Sequence, residues 1–291
     1  MKGLTIKALA GLGTAGATGT IAITTWYLSR PKDVKAKLKS EGLKLVGDSV
    51  RAWRAIFLTH KGNAEFIRFA GILESDSDKE AGSKVMFSCK QILNVASGDE
   101  NYEDFLSKAR SYCTVPQFKT IETKILFSDK EPSSVDRDWK DSFVLNKEDP
   151  SFIEKVKKSS QAGTSFDSST STDIAKDVVK KFCEALKVKF PESQDVLDYE
   201  RYCLQTPTNI EAFFEKQGYY LVKDGSWGSK FDSIKSTDSS LFDEIKKGTA
   251  LSSSSDGTQG GPKLKEWCDL EKVKEINAIS DLKKIKSRCF N

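Results

Sequence analysis

The chain has 291 residues, of which 38% are hydrophobic and 30% charged, a balance that excludes both a polytopic membrane protein and a disordered chain. Its net charge of +4 is unevenly placed: eight Lys/Arg against Asp33 and Glu41 give +6 over residues 1–46, which leaves 38 basic and 40 acidic residues beyond them. That nearly neutral body lacks the basic face a nucleic-acid binder needs, so nucleic acid is excluded as a partner.

Residues 1–30 read as an N-terminal membrane anchor. Ala8 to Leu28 is a run of 21 residues without a charge, long enough to cross a bilayer as a helix. Trp26 and Tyr27 at its end suit the interfacial aromatic belt, and Arg30 and Lys32 follow. The most apolar stretch, Ile21 to Leu28, comes after the small residues near Ala17 and Gly19 where a leader would be cut. That order favours an uncleaved signal anchor over a cleaved signal peptide. Positive charge after the segment would hold the body in the cytoplasm, whereas a short N-terminus with Lys2 and Lys7 reads as an export signal. The string Gly11-Leu12-Gly13-Thr14-Ala15-Gly16 matches a dinucleotide fingerprint only formally, because it lies inside the apolar run and opens no βαβ unit.

Beyond residue 30 one pattern recurs three times, which predicts three tandem, mainly α-helical repeat units over 31–115, 116–206 and 207–291. Each opens at a proline (Pro31, Pro116, Pro207), and the first and third align without gaps over 31–46 and 207–222. There Val34, Leu38 and Leu45 correspond to Ile210, Phe214 and Leu221, with Gly42 or Gly218 placed to end a short helix whose first position is the proline. The second unit keeps the proline and lacks the glycine. Leu43–Val46 and Tyr219–Val222 are compatible with a small β element.

A Trp-x3-Phe element follows in each unit: Trp53/Phe57, Trp139/Phe143 and Trp227/Phe231. Residues four apart share one helix face, so these six are the expected core of the repeat. A further aromatic, Phe66, Phe152 or Phe242, falls on another short helix. Polar stretches then occupy equivalent places, SDSDKEAGS, SSQAGTSFDSSTSTD and TALSSSSDGTQGGP, and read as flexible surface loops.

Cysteine pairs close each unit: Cys89/Cys113, Cys183/Cys203 and Cys268/Cys289. Each pair flanks a turn between two helices, so the partners face each other across a helical hairpin. Six cysteines allow fifteen connectivities, and spacings of 24, 20 and 21 inside three like units favour pairing within each unit. Six buried thiols are the alternative. Disulfides imply an oxidising compartment and so an exported body.

Residues with catalytic chemistry are few. His60, the sole histidine, stands beside Lys61-Gly62 and reads as a surface or capping residue. Asp76/Asp78 and Asp136/Asp138 read as solvated acidic pairs, and Arg110, Arg201 and Arg288 before the second cysteines as a shared salt bridge or cap. No P-loop, nucleophile elbow or histidine pair for a metal occurs. The expectation is therefore no enzyme, no catalytic residue, no cofactor and no metal.

Glu41-Gly42-Leu43-Lys44-Leu45-Val46, Trp53, Cys89-Lys90-Gln91-Ile92-Leu93 and the Ala109 to Pro116 stretch ARSYCTVP, with the Gly/Ala-rich N-terminus, resemble a paralogous family of uncharacterised membrane-anchored proteins of haemotropic mycoplasmas. Cys183-Glu184-Ala185-Leu186 and Glu200-Arg201-Tyr202-Cys203 carry the likeness into the second unit. The resemblance implies a lineage-specific surface protein concerned with host contact or antigenic diversity, and it transfers no activity. The chain is thus expected to be a single-pass cell-membrane protein, held through residues 8–28, with an extracellular body and host or other protein ligands. The alternative is a cytoplasmic, membrane-tethered protein-binding scaffold with free thiols.

Overall fold

The computed structural model describes residues 31–160, 166–245 and 251–291. The expected anchor, 8–28, lies outside them, and among the described residues no helix is long and apolar enough to cross a membrane. The described chain is mainly α-helical, with isolated β-bridges and no β-strand.

Fifteen helices are described, in three sets of five. The first set is α1 (Val34–Ser40), α2 (Val50–His60), α3 (Ala64–Ala70), α4 (Asp78–Leu93) and α5 (Tyr102–Tyr112). The second is α6 (Ile121–Phe127), α7 (Asp136–Asn146), α8 (Pro150–Ser160), α9 (Thr172–Lys187) and α10 (Ser193–Tyr202). The third is α11 (Ile210–Glu215), α12 (Trp227–Ile234), α13 (Leu241–Ile245), α14 (Gly257–Glu271) and α15 (Leu282–Cys289). Three hydrophobic cores follow this division, spanning residues 34–113, 121–203 and 210–290.

The opening helices show how sequence sets the geometry. Asp33, Thr120 and Asn209 are the N-caps of α1, α6 and α11, each accepting from the backbone N–H three residues on. The prolines thus precede the caps and are not the first helical residues, because a side-chain acceptor stands nearer the helix. Val34/Leu38, Ile121/Ile125 and Ile210/Phe214 are the buried pairs of these helices. Each helix ends in a left-handed residue: Gly42 (φ 78°), Gly218 (φ 83°) and, where the second set lacks glycine, Asp129 (φ 60°). Aspartate is among the few non-glycine types that tolerate this region.

The same backbone contacts then tie each opening segment to its closing hairpin. The N–H groups of Val34, Ile121 and Ile210 donate to Val95, Lys189 and Lys274 at 2.9–3.0 Å, in the linkers between the two cysteine helices. Val46, Ser133 and Val222 donate to the carbonyls of Cys113, Cys203 and Cys289 at 2.9–3.0 Å. The small β elements reduce to single antiparallel bridges, Leu45–Thr114, Pro132–Leu204 and Leu221–Phe290.

The polar stretches are a correction. Ser77 caps α4 in a reciprocal box with Glu80, so residues 78–83 of SDSDKEAGS are helical. In TALSSSSDGTQGGP, Gly257 to Pro262 form the first turns of α14 under the Asp256 cap. Their glycines are contact points. A Cβ on Gly82 would meet the Arg54 backbone at 2.8 Å, one on Gly261 the Gly228 backbone at 2.6 Å, and one on Gly260 the Phe231 ring at 2.3 Å. Helices α4 and α14 thus cross α2 and α12 at a spacing only glycine permits. Of the middle stretch, residues 161–165 lie outside the description, Phe166 is buried and α9 begins at Thr172.

Candidate functional site: closing hairpins and the junctions between cores

All six residues expected as core are buried: Trp53, Phe57, Trp139, Phe143, Trp227 and Phe231. Phe66 and Phe152 join them, whereas in α13 the fully buried residue is Leu241 and Phe242 is half-buried against the edge of Phe231. Three disulfides are present, Cys89–Cys113, Cys183–Cys203 and Cys268–Cys289, with Cα–Cα distances of 5.6, 5.5 and 5.6 Å. Each joins the middle of one helix to the end of the next and is buried. In the chain-entropy account, closing a loop of this length stabilises the fold by about 3 kcal/mol.

The three arginines before the closing cysteines all form ion pairs, in different surroundings. Arg110 pairs with Glu41 and Arg201 with Asp149, both on the surface. Arg288 is wholly buried; it bonds Asp238 at 2.6 and 2.8 Å, Glu244 at 2.6 Å and Ser240 Oγ at 2.9 Å. The Arg288 guanidinium holds the Asp238 carboxyl below its ordinary value.

His60 is neither a cap nor a freely solvated residue. Its ring lies 5.2 Å from Phe66 and 5.4 Å from Tyr112. Burial, with Lys119 adding a smaller effect, lowers its pKa. Asp76 accepts from Leu73 N–H and pairs with Lys84, while Asp78 starts α4 exposed. Asp136 is exposed and pairs with Lys176.

Asp138 overturns the reading of a solvated pair, because it is completely buried. It accepts from Ser134 N–H (3.3 Å), Thr206 N–H (3.3 Å) and Arg137 (3.2 Å). One helical turn on, Asp141 is equally buried and accepts from Thr206 Oγ1 at 2.7 Å and from Asn277 N–H and Nδ2 at 2.9 and 2.7 Å. Burial pushes the Asp141 pKa up, against the pull of these donors and Arg137. Asn277 belongs to the 3₁₀ turn Ile276–Ala278, so this cluster fastens α7 to the third core. Val144 and Leu145 pack against that core beside it.

The junction between the first and second cores is built otherwise. Helix α2 packs along α6, and Ala55 and Leu126 on these helices are fully buried. Around them Arg54 bonds Glu131 at 2.6 Å, and Arg51 bonds Glu131 at 2.9 Å and Asp129 at 3.1 Å. Both acids lie in the segment after α6, so the left-handed turn at Asp129 helps present them to α2. Sequence reading missed this junction, since its ions are separated by about eighty positions and belong to no recurring motif.

Among the described residues no three His, Cys, Asp or Glu side chains converge as a metal site. No family model, curated protein or solved structure matches this chain.

Proposed function

We propose that the chain is a membrane-anchored, cell-surface binding protein without enzymatic activity, its body built of three tandem copies of one disulfide-closed helical unit over 31–115, 116–206 and 207–291. The observation that carries this reading is the disulfide across each closing hairpin, since structural disulfides persist chiefly outside the cytosol. The matched caps, left-handed residues and hairpin contacts support the three-copy reading, and the apolar run 8–28 supports the anchor. The likeness to the haemotropic mycoplasma family gives host contact or antigenic display as the role. Recognition then falls to exposed side chains, among them the apolar Leu73, Phe87, Ile174, Val188, Phe190 and Val273.

Brief protease treatment of intact cells tests the placement. Loss of the body together with a known surface marker is the expected result; a body left whole while the marker is cleaved contradicts it. The second reading is the cytoplasmic tethered scaffold. It is favoured by the positive charge from Arg30 to Lys44 that follows the apolar run, and requires all six thiols to be free in the cell.

A further inference from the structure

Charge is shared unevenly among the three opening helices. On and around α1, Lys32, Lys35, Lys39 and Lys44 are all exposed. The corresponding residues of the second set, counted from its Thr120 cap, are Lys119, Glu122, Leu126 and Glu131. Those of the third, counted from the Asn209 cap, are Thr208, Glu211, Glu215 and Tyr220. All three helices keep the cap and the buried pair, so the common fold does not require lysine at these positions. The lysines mark the first unit alone, and that unit is the one that follows the apolar run.

The four lysines form a surface that the protein itself leaves unsatisfied. Lys35 and Lys39 are four apart and share one face of α1, beside the buried Val34 and Leu38. Among the described residues none of the four pairs with an acid. Glu41 is taken by Lys37 and Arg110, and Asp33 caps the helix. The helix is also tied to its unit, since Val34 N–H donates to Val95.

Chain length fixes where this surface lies. Lys32 stands four residues beyond Leu28, a reach of at most about 14 Å. Exposed charges act on a bilayer over roughly a Debye length, about 8 Å in physiological salt. We propose that this face docks on the anionic phospholipid headgroups of the membrane that holds residues 8–28, and so fixes the first unit against the bilayer. This docking rests on the reading of those residues as an anchor, and it holds on either side of the membrane. Anionic headgroups complement a cluster of lysines next to a membrane segment, whereas the matching glutamates of the second and third units are repelled by the same surface.

Lysine acetylation of the full, oxidised chain in vesicles tests the docking, with phosphatidylcholine alone or mixed with phosphatidylglycerol. Rates are read by mass spectrometry against Lys216, an exposed lysine of the third unit. Lys35 and Lys39 should react about fivefold more slowly in the anionic vesicles, and high salt should remove the difference. Lys35→Glu combined with Lys39→Glu gives these positions the residue type found at Glu211 and Glu215, and should restore Lys44 to its rate in neutral vesicles. Retention through an alkaline carbonate wash of the neutral vesicles reports the anchor separately. A chain that is washed out overturns the anchor and the docking with it. A retained chain whose Lys35 and Lys39 react equally in both lipids overturns the docking alone, and equally slow rates would assign the face to a second copy of the chain. A difference that salt leaves intact, or a Lys44 still slow in the double variant, also overturns it.

Discussion

The Asp141 carboxylate accepts both the backbone N–H of Asn277 at 2.9 Å and its side-chain Nδ2 at 2.7 Å, across 136 residues of sequence. A buried acid of the second core thereby closes on the turn between the cysteine helices of the third. Asn277→Ala removes one of the two donors and should cost about 1–3 kcal/mol. Asp141→Ala takes the acceptor from both Asn277 donors at once, while Thr206 Oγ1 keeps Asp138 at 3.1 Å, and should cost more. Urea unfolding checks both; equal stability of Asp141→Ala and the native chain would show that the junction bears no load.

The three arginines before the closing cysteines should separate by environment. Arg288→Met removes the buried guanidinium from Asp238, which keeps only Ser240, and from Glu244, which keeps Lys284, and should cost about 3 kcal/mol. Arg201→Met and Arg110→Met break surface pairs and should cost about 1 kcal/mol or less. Thermal denaturation of the three variants would reveal the contrast.

Glycine positions discriminate close helix crossing from flexible loop. Gly82→Ala and Gly260→Ala force a methyl onto the Arg54 backbone and the Phe231 ring, and should each cost about 1–3 kcal/mol. Gly98→Ala meets nothing within 4 Å and should stay within about 0.5 kcal/mol. Equal stability of all three variants would return these segments to the status of loops.

Much of this fold was legible because its recurring residues are core formers. Trp-x3-Phe pairs and paired cysteines recur at positions where burial leaves few substitutes, so their spacing located the helices and hairpins. The composition of the polar stretches misled for a physical reason: glycine marks a turn and a close helix crossing alike, and only the partner helix distinguishes them. Asp138 misled similarly, because a carboxylate is buried or solvated according to donors that lie far away in sequence, and Asp141 drew no reading for the same reason.

His60 supplies a pH prediction. It is the sole histidine, and burial depresses its folded pKa below the ordinary value of 6.5. The unfolded chain therefore binds its proton first as pH falls, and the contribution to stability present above about pH 6.5 is lost as pH drops through the folded pKa. His60→Gln should flatten the stability difference between about pH 7.5 and pH 5.5 relative to the native chain. An identical slope in both proteins would remove His60 as its source.

The redox state of the six cysteines in protein taken from its own cell bears most directly on the central claim. Thiols are alkylated at lysis, before and after reduction, and the intact mass and the linked peptides are read by mass spectrometry. The account predicts no label before reduction, six after it, and the peptide pairs Cys89–Cys113, Cys183–Cys203 and Cys268–Cys289. Six labels before reduction, or linked peptides that cross between units, would contradict it.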